Sequence, residues 1–185
     1  MSLKRYNSLA IILHWVMAIC FIIMLASGLA LEYLEIEKSL KYDMYQWHKS
    51  LGLILLAAFF LRLAIRIIKP LPKWPEELSE FDKKAAHVGH ILLYVCMILV
   101  PLAGWFMVSS SPYGLPTYIF GLFEWPHIPG VASNDFVNTS SKIAHKYIAY
   151  AFIALIAIHI GATFKHLIFE KINLLPRMGI GKQKD

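Results

Sequence analysis

The sequence has few charged residues, and none of its acidic residues lies in the middle of a long apolar segment. Only 16% of the 185 residues are charged, whereas 58% are hydrophobic. Soluble domains carry about a quarter charged residues, so this composition excludes an ordinary soluble domain and predicts a single membrane domain over residues 1–185. The lack of buried carboxylates also excludes a di-iron carboxylate bundle, whose metals need glutamate ligands in the core.

Cysteine is equally scarce. The sequence has two, Cys20 and Cys96, and both fall inside apolar segments, where they act as small apolar side chains. Two such cysteines imply no disulfide framework. The sequence also lacks a C-x-x-C-H motif, which excludes covalent attachment of a c-type haem.

Four long apolar segments are present, and each is long enough to cross a hydrocarbon core of about 30 Å. The first follows basic residues in the manner of a secretory signal peptide, but it is too long for one, and we expect it to be retained. We expect Asn7 or Ser8 to cap the first helix and Ser140 or Ser141 to cap the fourth. The sequence therefore predicts an all-α membrane protein, an up-down bundle of four transmembrane helices at roughly 8–34, 47–68, 86–108 and 142–169.

Lysine and arginine are distributed unevenly between the two sides of this predicted bundle. Thirteen of the eighteen lie on the side of the two termini and of the connection between spans two and three, and Lys4, Lys182 and Lys184 are among them. The positive-inside rule therefore predicts that both termini are cytoplasmic. The net charge of +6 follows from this topology and from contacts with lipid headgroups, so it gives no reason to expect a nucleic-acid partner.

The fourth span carries histidines on one helix face. His145 and His159 are fourteen residues apart, so they return to nearly the same face at levels about 21 Å apart. His166 falls on that face too. An imidazole in a membrane span must face the bundle interior and find a partner there. Two stacked histidines suit a helix that holds two haem irons, one near each membrane surface; the alternative is hydrogen bonding to neighbouring helices.

The other three spans repeat the fourteen-residue spacing, each between a histidine and a residue at the opposite membrane level. The pairs are His14 with Gly28, His48 with Arg62, and His90 with Gly104. Because neighbouring helices are antiparallel, we expect His48 and His145 to share the outer level. The two glycines would leave room there for a flat macrocycle, although close helix packing is an equally ordinary use of a membrane glycine.

The inner level holds more histidines than one iron needs. His14, His90 and His159 lie at this level, with His87 and His166 nearer the surface. Depth gives only a slight preference to the pair His14 and His159. A six-coordinate bis-histidine haem b suits electron transfer, because both axial positions are filled and dioxygen cannot bind.

Several short motifs together resemble the bacterial cytochrome b561 family, itself similar to the cytochrome b subunits of nickel-iron hydrogenases and formate dehydrogenases. They are HW after a Lys-Arg N-terminus, WHKSLG opening span two, AHVGH opening span three, SPYG after it, and H-x13-H in span four. The resemblance implies two haem b groups and exchange of electrons with the quinone pool of the bacterial inner membrane. It also implies that His14 and His159 ligate the inner haem, and His48 and His145 the outer one.

Two classes of function fit this resemblance. The first is a self-contained oxidoreductase that uses ubiquinone on one side and a small partner such as superoxide on the other. The second is a non-catalytic membrane anchor that relays electrons between a partner dehydrogenase and quinone. A transporter that uses intramembrane histidines for metal ions or protons is a third hypothesis, without haem.

Cations and histidines near the two membrane surfaces are the candidates for substrate contacts. Lys49, Lys142 and Lys146 lie at the outer level with few acids nearby in sequence apart from Asp43. They would form ion pairs with haem propionates and lipid headgroups, or they would attract a small anion such as superoxide. At the inner level we expect a quinone site formed by His87 and His90 beside Arg62, since an imidazole can donate to a quinone oxygen and exchange its proton with the cytoplasm.

The long outer connection between spans three and four is rich in glycine, proline and aromatic residues. Its aromatic run suits a segment that lies in the membrane interface as a lid over the bundle. We expect His127 in this connection to be a surface residue.

Overall fold

The computed structural model describes residues 5–181, which form four long α-helices. Their bounds are α1 Ser8–Tyr33, α2 Lys38–Ile68, α3 Glu80–Ser109 and α4 Asp135–Ile168. Each helix is long and apolar enough to cross a membrane, and many large apolar side chains are exposed along the helices, as lipid-covered surfaces require. The chain is a multi-pass membrane protein. Lys4, Lys182 and Lys184 lie outside the described residues.

Three helices begin six to nine residues earlier than the apolar segments predict, because polar turns precede the apolar stretches. A side chain caps each of the four helix starts by accepting a backbone N–H. The prediction of Asn7 as a cap is confirmed, whereas the prediction of Ser140 or Ser141 is wrong, since α4 begins almost two turns earlier. The caps are Asn7 on α1, Glu37 on α2, Ser79 on α3 and Asn134 on α4.

The bundle consists of two helix pairs, α1 with α2 and α3 with α4. A buried apolar cluster joins the pairs halfway along the bundle, where the Phe21 and Phe152 rings meet edge to face with their centroids 5.1 Å apart. This cluster separates the two levels at which the histidines lie. It is formed by Met17, Leu55, Phe59, Cys96, Met97 and Phe152.

The connection from α3 to α4 contains an antiparallel hairpin of β1, Thr117–Ile119, and β2, Phe123–Trp125. The hairpin lies against the first half of α2 around Ser50, whose side chain is fully buried. The Ser50 hydroxyl is 2.8 Å from the Tyr118 carbonyl oxygen and accepts the Phe120 N–H at 3.1 Å. The aromatic segment is therefore anchored to α2 by hydrogen bonds.

The opposite end of the bundle is closed by the C-terminal segment, which includes a short 3₁₀ helix at Leu175–Met178. The buried Arg177 side chain donates to the carbonyl oxygens of Pro72 and Lys73 in the α2–α3 connection. Trp15 of α1 donates its indole N–H to the Met178 carbonyl oxygen at 2.8 Å. Following the predicted orientation, we call this the inner end and the end with the hairpin the outer end.

Candidate functional site

His48 on α2 and His145 on α4 face each other at the outer end. Their ring centroids are 6.3 Å apart and the ring planes cross at 69°. Two nitrogens bound to one metal ion at about 2 Å each lie about 4 Å apart, and each ring centre lies roughly 1.1 Å beyond its nitrogen. A centroid distance slightly above 6 Å therefore fits two axial ligands of one iron.

Each of these two imidazoles has a hydrogen-bond partner for Nδ1. The Ser27 hydroxyl oxygen is 2.9 Å from His48 Nδ1, and His145 Nδ1 donates to the Val100 carbonyl oxygen at 2.9 Å. Bonds of this kind fix the ring orientation and leave Nε2 for a metal ion. Sequence reasoning missed Ser27 and the Val100 carbonyl; the only signal for Ser27 was a polar residue within an apolar span.

Gly28 and Gly104 lie beside the two outer imidazoles. A Cβ atom at Gly104 would be 3.1 Å from His145 Nδ1, which is tighter than normal contact, and one at Gly28 would be 3.4 Å from His48 Cε1. Glycine at these positions therefore makes room for the imidazole rings themselves. Space for a flat macrocycle beside the glycines stays a prediction.

A cavity of about 660 Å³ surrounds the outer histidines. This volume lies within the range of about 300–1,000 Å³ that cofactor sites occupy. Its wall is mainly apolar and includes the two facing imidazoles and both glycines. Lys49, Lys142 and Lys146 also line it. These residues fit a haem b with axial histidine ligands and cations for its propionates.

The three outer lysines differ in their partners. Lys49 donates to the Pro116 carbonyl oxygen at 2.8 Å, and Lys146 forms an ion pair with Glu32 at 2.5 Å. Within residues 5–181, Lys142 forms neither a hydrogen bond nor an ion pair. The expectation concerned acids nearby in sequence, and the fold adds one in space, because α1 brings Glu32 to Lys146 from a distant part of the sequence.

At the inner end His159 faces two candidate partners. Its ring centroid is 6.3 Å from that of His14 and 5.6 Å from that of His90. The first distance equals that of the outer pair. The second is too short for two Nε2 ligands on opposite sides of one iron, which need slightly more than 6 Å by the same bond lengths. The geometry therefore favours His14 over His90 as the partner of His159.

Arg62 lies beside His14 and not in the predicted quinone site. Its Nη2 is 3.2 Å from His14 Nδ1, and its Nη1 donates to the Ala10 carbonyl oxygen at 3.2 Å. A guanidinium group has only donors, so His14 Nδ1 acts as the acceptor in this contact and the ring proton lies on Nε2. Binding of a metal ion at Nε2 would therefore require the proton to move to Nδ1 and the Arg62 bond to break. The contact places a cation directly next to a candidate ligand of the inner site.

His87 and His90 line an open groove of about 330 Å³ on the surface of α2 and α3. The cation in this groove is Arg66, which lies over the Tyr94 ring at 5.6 Å from its centroid. The groove is otherwise apolar, as a site for a quinone ring requires. Arg66 thus takes the position that the sequence analysis gave to Arg62.

The two remaining histidines have other surroundings. His166 is buried and its Nδ1 is 2.6 Å from Glu170 Oε2, while Lys165 lies 2.7 Å from the other carboxylate oxygen. The hydrogen bond from Lys165 makes the larger contribution to lowering the pKa of Glu170, and the hydrogen bond from His166 lowers this pKa further. His127, expected at the surface, is half-buried, and its Nε2 is buried with no hydrogen-bond partner among residues 5–181.

Comparison with known proteins agrees with this arrangement. The model of a family described as prokaryotic cytochrome b561 matches residues 5–181. Cytochrome b561 homolog 2 of Escherichia coli (strain K12) is 28% identical over 97% of this chain and 93% of the relative. Cytochrome b561 homolog 1 of the same organism is 27% identical over 95% of this chain and 97% of the relative.

A third relative, from Yersinia pestis, is named probable superoxide oxidase CybB. It is 28% identical over 95% of this chain and 96% of its own length. All three relatives match over nearly their whole length, so the similarity includes all four helices. The chain belongs to the prokaryotic cytochrome b561 family, a family of membrane electron-transfer proteins with b-type haem.

Proposed function

We propose that this protein is a superoxide:ubiquinone oxidoreductase of the bacterial inner membrane that binds two haem b groups. The observation that carries the proposal is the outer cavity, in which His48 and His145 lie at ligand spacing among lysine side chains. The relative named probable superoxide oxidase supports the choice of an anionic donor. The positive-inside count supports cytoplasmic termini.

Four histidines would hold the two haems. His48 and His145 would bind the outer iron, and His14 and His159 the inner iron, because both pairs have ring centroids 6.3 Å apart. A bis-histidine haem b supplies one-electron transfer and has no open position for dioxygen. The apolar cluster between the two levels excludes water from the middle of the bundle.

The lysines at the mouth of the outer cavity would attract the donor. Lys142 is exposed and without an ion-pair partner among the described residues, whereas Lys146 is neutralised by Glu32. Lys49 donates to the Pro116 carbonyl oxygen and forms no ion pair among the described residues. Positive potential at the mouth of a cavity raises the encounter rate of a small anion, and salt reduces the gain.

The quinone would bind in the inner groove. The His87 and His90 imidazoles can donate to a quinone carbonyl oxygen and exchange a proton with the cytoplasm, and the apolar wall suits the ring. Arg66 and Tyr94 close one side of the groove. A quinone bound there would be reduced to quinol by two electrons, one from each of two superoxide ions, and by two protons from the cytoplasm.

The proposal is tested with purified protein in detergent, by measuring haem reduction with superoxide and with a neutral quinol. We expect Lys49→Gln/Lys142→Gln to slow reduction by superoxide about tenfold at low salt and to leave reduction by the quinol unchanged. Lys38→Gln is the matched control, because Lys38 is exposed at the same end but does not line the cavity.

Unchanged rates with superoxide would remove the steering role of the lysines, and equal slowing with both donors would show that the haem site itself had changed. Turnover that appears only after a partner dehydrogenase is added would overturn the oxidoreductase and favour the membrane anchor.

A further inference from the structure

The outer site contains a hydrogen-bond chain that the proposed function does not use. The Ser27 hydroxyl donates to the Met24 carbonyl oxygen at 2.9 Å, and the same hydroxyl oxygen is 2.9 Å from His48 Nδ1. A carbonyl oxygen can only accept, so the hydroxyl proton points toward Met24 and the oxygen lone pairs face His48. Nδ1 of His48 is therefore the donor, and its Nε2 carries the free lone pair.

His145 is held in the same tautomer by a different group. Its Nδ1 lies 2.9 Å from the Val100 carbonyl oxygen, which can only accept, so Nδ1 must carry the proton. Gly104, four residues after Val100 on the same helix, gives the ring access to that carbonyl. Both outer imidazoles thus present Nε2 to the cavity, but only the bond to His48 comes from a side chain that substitution can remove.

The inner site lacks this arrangement. His14 Nδ1 accepts from the Arg62 guanidinium at 3.2 Å, which leaves the ring proton on Nε2. To bind iron through Nε2, His14 would have to carry this proton on Nδ1 and would lose the Arg62 bond, so that Nδ1 would face a cation and no acceptor. Within residues 5–181, the rings of His159 and His90 form no hydrogen bond. The two sites therefore differ in the groups that set ligand basicity, acceptors at the outer site and a cation at the inner one.

We propose that Ser27 is a positioning residue that fixes the His48 tautomer and raises the basicity of Nε2, so that the outer iron is harder to reduce than the inner iron. This rests on the ligand assignment of the proposed function. An acceptor on Nδ1 makes the imidazole a stronger donor and stabilises iron(III), whereas the Arg62 cation favours the less positively charged iron(II) form. Each superoxide ion would give one electron to the outer haem and leave as dioxygen, and the gradient would favour transfer of that electron to the inner haem.

The test is a spectroelectrochemical titration of the purified holoprotein, with low-temperature electron paramagnetic resonance of the oxidised form. The wild type should show two transitions. The transition at the lower potential should belong to the outer haem, so it should be absent in His48→Ala. Ser27→Ala should move this transition to a more positive potential, change one of the two low-spin iron(III) signals, and leave the other transition unchanged. Ser27→Thr, which keeps the hydroxyl, should restore both readouts.

Two further variants complete the design. Ser111→Ala makes the same chemical change at another serine of the outer cavity, one that forms no hydrogen bond to a histidine among the described residues, and should leave both transitions in place. Arg62→Gln should move the higher-potential transition to a more negative value.

The inference is overturned if Ser27→Ala keeps both potentials and both signals at full haem content, or if Ser27→Thr behaves like Ser27→Ala. It is also overturned if the higher-potential haem is the one lost in His48→Ala. An error in the ligand assignment itself would instead show as two retained haems in His48→Ala, whatever Ser27 does.

Discussion

The outer and inner histidine pairs have the same ring separation and very different surroundings. Each pair has centroids 6.3 Å apart on helices that also pack against the central apolar cluster. At the outer end both Nδ1 atoms face hydrogen-bond acceptors, and a cavity of about 660 Å³ opens beside the rings. At the inner end His14 faces a guanidinium group, and a third imidazole, His90, lies closer to His159 than His14 does. Helix packing therefore sets the ring spacing, while local partners define which nitrogen is available.

The largest effect is expected from removal of an outer ligand. His48→Ala and His145→Ala should each remove the outer haem and leave the inner spectrum largely intact, because each leaves the outer iron without one axial ligand. Haem content per chain and the alpha band of the reduced protein provide the measurement. Full occupancy of both haems in either variant would show that the outer pairing is wrong.

The inner site gives a sharper test because it offers a choice of ligands. His14→Ala and His159→Ala should both lose the inner haem, whereas His90→Ala should retain it, since the 5.6 Å ring distance from His90 to His159 is too short for a shared iron. The same haem count distinguishes the three variants. Loss in His90→Ala combined with retention in His14→Ala would reverse the assignment.

The two glycines provide a matched pair of smaller changes at the outer site. Gly104→Ala places a Cβ 3.1 Å from His145 Nδ1, so it should displace the ring from the Val100 carbonyl oxygen and destabilise the protein by about 1–3 kcal/mol. Gly28→Ala adds an ordinary contact of 3.4 Å with His48 and should disturb the ring much less. Thermal unfolding and outer haem content measure both. A larger loss of outer haem in Gly28→Ala than in Gly104→Ala would show that these positions need glycine to make room for the macrocycle and not for the imidazole rings.

The smallest effect on haem is expected in the inner groove. The double variant His87→Ala/His90→Ala should keep both haems and weaken quinone binding, because it removes the two imidazoles that line the groove. The Michaelis constant for a soluble ubiquinone analogue is the readout, and His127→Ala at the outer end is the control. Unchanged quinone affinity at full haem content would place the quinone elsewhere, most simply beneath the outer hairpin.

The fourteen-residue spacing was enough to predict which histidines share a level. Helix geometry converts that spacing into a face and a depth, so the meeting of His48 with His145 could be predicted before any contact was known. Helix starts were less predictable, because hydropathy does not detect the polar first turns of α2, α3 and α4.

Contacts between distant residues could not be predicted from spacing. Three contacts depend on side-chain rotamers and on how the helices are rotated against each other. They are the pairing of Lys146 with Glu32, the presence of Arg66 instead of Arg62 in the inner groove, and the contact of Ser27 with His48. The pattern of residues along the sequence also does not predict the hairpin, because its position depends on hydrogen bonds to the buried Ser50 side chain of α2.

Two ligand pairs at equal spacing predict two haem sites in each chain. The most direct test is the ratio of haem to polypeptide in the purified protein, measured by the pyridine haemochrome method. Our account predicts two haems b per chain in the wild type and one in His48→Ala. A ratio of one in the wild type would contradict the two-site arrangement, and the absence of a b-type alpha band would contradict haem binding by these histidines altogether.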